Sequence, residues 1–346
     1  MLKIVVLGPH MGEWLPFFRA LLATPAEVGW VGTYEPEAVA EAVAEADVVV
    51  TGVLTPPMTS RCRRLRLVHM PGAGYDKIDR AAIPDGAVFA NCYEHEHAIA
   101  EWTLMVCLAL ARKLLAADAQ LRQGDWSLYP GSGAPVFPEL RGQTMGLIGL
   151  GRVGRATARL AAAFGMRCVG VDVHESARQA AAAFGLERVG GREEMDQLLA
   201  ESDVVVVAVP LDESTRGLLG ARELGLMKPT AFLVNPARGP IVDERALYEA
   251  LAGQRIAGAG LDAWYCYPVG QERLNPSRYP IHTLPNVVIT PHTSGWTRQT
   301  MESRWRIVAA NVDRLARGEP LVGLVPELSK ADGALSRSRA ARTISC

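Results

Sequence analysis

The sequence predicts an α/β protein built from two doubly wound parallel-sheet domains. Short apolar runs of strand length alternate with helix-period stretches along the whole chain, the pattern of strands buried on both faces and joined by crossover helices. At 346 residues the chain is longer than one domain usually requires. Hydrophobic residues make up 49% and charged residues 21%, enough apolar material for two cores and too much for a disordered chain.

The first half supplies strand candidates at 3–7, 47–53, 67–70 and 87–90, separated by Ala/Glu-rich or amphipathic stretches. A long apolar helix pattern follows over 96–112, then a Gly/Pro/Trp-rich arm at 124–139 without periodicity. The second series is cleaner, with runs at 144–149, 167–173, 203–209, 231–235, 257–262 and 286–290. Six strands are what a complete dinucleotide-binding sheet requires. A long helix pattern covers 297–317, and beyond Pro326 the composition turns to Ser, Arg and Ala without apolar spacing. The expected division is 1–98 with 296–325, then 99–295, with 326–346 a disordered tail.

Thirty-six basic residues against 37 acidic ones leave a net charge of −1, so the electrostatic footprint of a nucleic-acid binder is missing and a small substrate is expected. Cys62, Cys92, Cys107, Cys168, Cys266 and Cys346 never fall in CxxC spacing, which suggests neither a disulfide framework nor a zinc site and fits a reducing cytoplasm. Glu94, His95, Glu96 and His97 alternate, but no metal is expected. The apolar run at 2–7 is too short for a signal-peptide core or a membrane span.

Gly149-Leu150-Gly151-Arg152-Val153-Gly154 follows a strand and opens a helix running to about Phe164. That context gives an otherwise weak pattern its meaning: a tight bend, a backbone that can approach a pyrophosphate, and close helix-strand packing. Asp172 ends the next strand, where a carboxylate can accept from ribose hydroxyls and would repel a 2′-phosphate. NAD rather than NADP is the expected cofactor, with His174 and Arg178 nearby as the counterargument.

Further motifs stand in order over residues 1 to about 325: Pro71-Gly72-Ala73-Gly74-Tyr75-Asp76, Ala98-Ile99-Ala100-Glu101, Val209-Pro210-Leu211, Met227-Lys228-Pro229, Val234-Asn235-Pro236-Ala237-Arg238-Gly239, Gly260-Leu261-Asp262 and Thr290-Pro291-His292. With the glycine turn they closely resemble the D-isomer-specific 2-hydroxyacid dehydrogenases, two-domain and usually dimeric NAD(P) oxidoreductases. The resemblance implies a Rossmann-type cofactor domain, a smaller flavodoxin-like substrate domain, and a homodimer formed through 101–115 and the arm after it. It assigns substrate carboxylate and carbonyl binding to Arg238, acid/base work to His292, and cofactor contacts to Val209, Pro210, Ala237, Asp262 and Gly295 beside the glycine turn. Gly72, Ala73, Gly74, Tyr75 and His95 are the expected substrate contacts.

The chemistry suits those residue types. Arginine holds a carboxylate bidentately and polarises an oxygen that changes charge, and imidazole exchanges a proton near neutral pH. One departure stands out. The family glutamate, five residues past the Leu-Asp pair and just before a proline, is Tyr267 here. Tyr267 is expected to orient His292 while leaving it less basic, since a hydroxyl offers a hydrogen bond without charge. The expected reaction is hydride transfer between NAD(H) and a small 2-hydroxy or 2-oxo acid, with a phosphonate analogue left open. Two rival readings are an NAD(H)-sensing protein, as in the corepressors that resemble this family, and formate-like oxidation without proton transfer.

Overall fold

The computed structural model describes residues 1–268 and 273–330. The chain divides into two compact units, one formed by residues 1–94 and 298 onward, the other by 95–297. The crossings differ by a few residues from those expected at 98/99 and 295/296. The apolar helix Glu96–Ala111 belongs wholly to the second unit, so the chain leaves the first unit at the N-cap, His95.

The first unit holds a five-stranded sheet in the order β2-β1-β3-β4-β5, every described pair parallel. The strands are β1 Leu2–Leu7, β2 Ala26–Val31, β3 Val48–Val50, β4 Leu67–His69 and β5 Val88–Ala90. β3 is central and consists of three fully buried valines, residues whose branched side chains fill both faces of a pleated strand. Helix Arg298–Arg317 returns to this unit and buries Trp305 against Phe18, ring centroids 4.9 Å apart.

In the second unit seven parallel strands run β12-β11-β10-β9-β6-β7-β8. They are β6 Thr144–Ile148, β7 Arg167–Val171, β8 Arg188–Gly190, β9 Val204–Val207, β10 Phe232–Asn235, β11 Gly258–Leu261 and β12 Val287–Ile289. Strand order reverses between β6 and β9. Beyond the carboxyl ends of two such strands the flanking helices lie on opposite faces and leave a crevice. The glycine turn follows β6, and Val209 and Pro210 follow β9.

Residues 326–330, expected to open an unpatterned tail, pack on the first unit instead. The Phe89 amide donates to Ser329 Oγ at 3.1 Å and Lys330 N–H to the Ala87 carbonyl at 2.9 Å. Val325 and Leu328 are buried in the same core. These two apolar anchors stop the segment behaving as its composition suggests. Residues 331–346 lie outside the described residues.

Candidate active site

At the glycine turn the backbone dictates the residue types. Gly149 has φ 97°, and a Cβ there would sit 2.6 Å from the Ala208 carbonyl oxygen, beside Val209. A Cβ on Gly154 would sit 2.1 Å from the Gly149 carbonyl oxygen. Around Gly151 there is open space, which leaves its backbone accessible at the start of helix Arg152–Ala163. Asp172 steadies the turn from β7: its Oδ2 accepts from Leu150 N–H and its Oδ1 from His174 N–H, each at 2.8 Å. Each oxygen keeps a second lone pair for a ribose hydroxyl.

This arrangement fits a dinucleotide. Gly151, Arg152 and Val153 would hold the pyrophosphate and Asp172 the adenosine ribose. The groove next to Asp172 is lined by Glu175, Glu193 and Glu194, with Arg178 the cation among them. Arg178 is engaged, donating to the Asp172 carbonyl at 2.7 Å and pairing with Glu175. A 2′-phosphate would therefore meet net negative charge. Arg152, at the turn itself, lies 3.6 Å from the Glu96 carboxylate.

The loops after β10, β11 and β12 carry the expected catalytic residues and meet at Trp264. Asn235, buried at the end of β10, accepts from Ala237 N–H at 3.0 Å and donates to the Arg238 carbonyl at 2.9 Å, so it shapes the turn that presents Arg238. Gly239 lies so close to Trp264 that a Cβ would approach its carbonyl oxygen to 2.5 Å. The Trp264 indole donates to the Thr290 carbonyl at 2.9 Å, and its backbone N–H donates to Tyr267 Oη at 3.1 Å. Tyr267 Oη is 2.7 Å from His292 Nδ1. Tyr265, one residue beyond Trp264, donates to the Val242 carbonyl at 2.9 Å, and burial pushes its phenol far above the usual range, so it is a neutral brace.

His292 has φ 61°, the left-handed region that non-glycine residues seldom occupy. What holds it there is Asp262. Thr290 Oγ1 donates to Asp262 Oδ1 at 2.5 Å, Thr293 N–H to the same oxygen at 2.8 Å, and Ser294 N–H to Oδ2 at 2.9 Å. The Asp262 side chain is wholly buried, with two of these donors on Oδ1 and one on Oδ2.

His95 is half-buried at its helix start, with its Cβ 3.3 Å from where a Cβ on Gly295 would lie, so these two expected contacts are adjacent. Gly72, Ala73, Gly74 and Tyr75 belong to the first unit. The Gly72 carbonyl accepts from Cys92 N–H at 3.1 Å and the Ala73 carbonyl from Asn91 Nδ2 at 2.8 Å, which turns the loop's acceptors inward. The Tyr75 hydroxyl donates to Glu327 at 2.9 Å and its ring packs edge-on to Phe89. Burial, reinforced by Glu327, raises its phenol to about 12. Among the described residues no group of three potential metal ligands occurs, and no helix is long and apolar enough to cross a membrane.

Sequence reasoning missed the junction made by Trp264, because no spacing rule announces an aromatic whose function lies in its backbone N–H. It also missed Arg304, whose guanidinium carbon is 3.9 Å from where a Cβ on Gly72 would lie and whose Nε donates to the Tyr93 carbonyl at 3.1 Å. Arg304 sits more than 200 residues from that loop, a separation at which sequence carries no signal.

The family model described as "D-isomer specific 2-hydroxyacid dehydrogenase, NAD binding domain" matches residues 104–294. A D-3-phosphoglycerate dehydrogenase of Methanocaldococcus jannaschii is 33% identical over 324 residues, covering 92% of this chain. The chain spans 58% of that relative's length. A glyoxylate reductase of Aeropyrum pernix is 36% identical over 327 residues, covering 90% of this chain and 93% of the relative. Among solved structures, D-lactate dehydrogenase from Aquifex aeolicus complexed with NAD and lactic acid superposes with a TM-score of 0.76 at 25% identity, covering 91% of this chain and 96% of that one.

Proposed function

Because the chain belongs to the D-isomer specific 2-hydroxyacid dehydrogenase family, we propose that it transfers a hydride between NAD(H) and a small 2-hydroxy or 2-oxo acid. The observation that carries this reading is the junction at Trp264, which holds the loops of Arg238, Tyr267 and His292 together within one unit. Bound NAD supplies the hydride acceptor or donor. Arg238 binds the acid group and polarises the oxygen that changes charge, and His292 exchanges the proton at that oxygen. The acidic groove beside Asp172 selects NAD over NADP. The protein works as a homodimer: helix Glu96–Ala111 and the segment after it expose Met105, Leu108, Leu114, Leu115, Leu121 and Trp126, apolar surface of the kind that pairing covers.

The test is NADH and NADPH oxidation against glyoxylate, pyruvate, hydroxypyruvate, aromatic 2-oxo acids and phosphonate analogues. Turnover with NADH is expected, with kcat/KM falling by about 10²-fold or more in Arg238→Lys, which loses the planar fork, and by 10² to 10⁴-fold in His292→Asn. NADH binding without turnover on any acid would support nucleotide sensing instead. NAD reduction by formate that survives His292→Asn would support oxidation without proton transfer.

A further inference from the structure

We propose that residues 322–330 form a strap that aims the loop Gly72–Tyr75 at the acid substrate, with Glu327 and Asn91 as its positioning residues. This deepens the dehydrogenase reading and rests on it for the substrate, though not for the tethers. β5 is the edge of the five-stranded sheet, and the segment lies along it, bridging antiparallel from Leu324 to Ala90. The Val325 amide donates to the Phe89 carbonyl at 3.0 Å and the Asn91 amide to the Gly323 carbonyl at 2.9 Å. Gly323 has φ 72°, and a Cβ there would sit 2.1 Å from the Asn91 carbonyl oxygen, so this approach demands glycine. Covering an edge keeps its ladder from pairing with another chain. The strap also reaches the loops beyond the carboxyl ends of β4 and β5, the end of a parallel sheet at which ligands bind.

Asn91 carries the hold of the strap into the loop. Its side chain is buried, and Nδ2 donates to the Ala73 carbonyl at 2.8 Å, while the next amide, Cys92 N–H, donates to the Gly72 carbonyl at 3.1 Å. In a trans peptide the carbonyl and the following N–H point in opposite directions. With both carbonyls drawn toward 91–92, the Ala73 and Gly74 amides face the other way, and neither donates to a described group. Successive N–H groups presented in this manner cradle an anion. Glu327 fixes the far end of the loop. It accepts from the Tyr75 hydroxyl at 2.9 Å, and the Tyr75 ring stands edge-on to Phe89 of β5, centroids 5.8 Å apart. Burial and Glu327 raise that phenol to about 12, so Tyr75 remains a donor across the neutral range. Swinging the ring away would turn the Gly74–Tyr75 peptide with it. Glu327 thus acts on the cradle through Tyr75 and needs no contact with the substrate.

The test is steady-state kinetics of the full chain with NADH and the acid it reduces best, in Glu327→Ala, Glu327→Gln and Tyr75→Phe. Losing the tether weakens binding of the acid equally in ground and transition states, which raises KM and leaves kcat alone. Glu327→Ala should raise KM for the acid by about 3- to 10-fold, with kcat and the KM for NADH as in the wild type. Glu327→Gln keeps an acceptor oxygen and should restore most of the affinity. Tyr75→Phe should match Glu327→Ala, and the double variant should be no worse than either. Hydrogen exchange at the Cys92 amide, which the Gly72 carbonyl covers, should quicken in Glu327→Ala. Three results would each overturn the inference while leaving the dehydrogenase reading intact: an unchanged acid KM in Glu327→Ala, an equal rise in the KM for NADH, or a further loss when Glu327→Ala is added to Tyr75→Phe. Absence of turnover on every acid would overturn that reading and the substrate role of the strap together, with Cys92 exchange still deciding whether Glu327 holds the loop.

Discussion

At His292 the backbone is held where a side chain costs of order 1–3 kcal/mol, and the compensating interactions come from one buried carboxylate 30 residues earlier. Asp262 receives three donors from residues 290–294, and charge-assisted bonds of this kind are the strong ones. In Asp262→Asn one of the two oxygens becomes an NH₂ group facing an N–H or hydroxyl donor. We expect a loss of about 1.5–3 kcal/mol in urea unfolding, with turnover falling because His292 is no longer fixed. Wild-type stability in the variant would show that the carboxylate does not hold the loop. The motif that ends in Asp262 was readable from the sequence. Its occupation by the loop was not, because donor identity depends on chain segments brought together from β11 and β12.

Among elements, strands whose side chains are buried on both faces were legible as apolar runs, and the two that escaped are edge strands. β2 alternates between half-buried and exposed positions and includes Gly29 and Trp30, while β8 has three residues, Arg188–Gly190. An edge strand needs fewer apolar residues because one side meets solvent. Helix Leu114–Arg122 also went unread, since none of its residues is buried in the chain by itself. Its exposed leucines acquire meaning at the proposed dimer interface. Replacing both Leu108 and Leu115 with Glu should convert the dimer to monomers in sedimentation velocity at micromolar concentration, with little change in the far-UV circular dichroism. A dimer that survives both charges would place the interface elsewhere. The glycine turn was the most legible element of all, because φ at Gly149 and the tight approach at Gly154 are demands that residue type alone can meet.

For the whole molecule, the return of the chain to its first unit creates a pH dependence that no local pattern announces. His69, on β4, is fully buried between the Met70 carbonyl, 3.1 Å from Nδ1, and Asn311 Nδ2, 2.9 Å from Nε2. The amide donates to Nε2, so the ring is neutral with its hydrogen on Nδ1. Burial lowers its pKa to about 4 from 6.5. The folded state thus binds the proton less well than the unfolded chain. The contribution is complete above pH 6.5 and is lost as pH falls toward 4, by up to about 1.4 kcal/mol per unit. Urea midpoints measured from pH 7.5 to 4.5 should fall less steeply in His69→Gln than in the wild type, and equal slopes would remove His69 from the pH response. Residue order by itself determined the two parallel sheets, the phosphate-binding turn and the family's set of polar side chains, because each depends on periodicity or on a conformation that few residue types tolerate. Which partner donates and which accepts was decided only by the folded chain. Asp262 turned inward, Tyr75 tied to Glu327, and Tyr267 set between an amide and an imidazole all owe their roles to groups that are distant along the chain and adjacent in space.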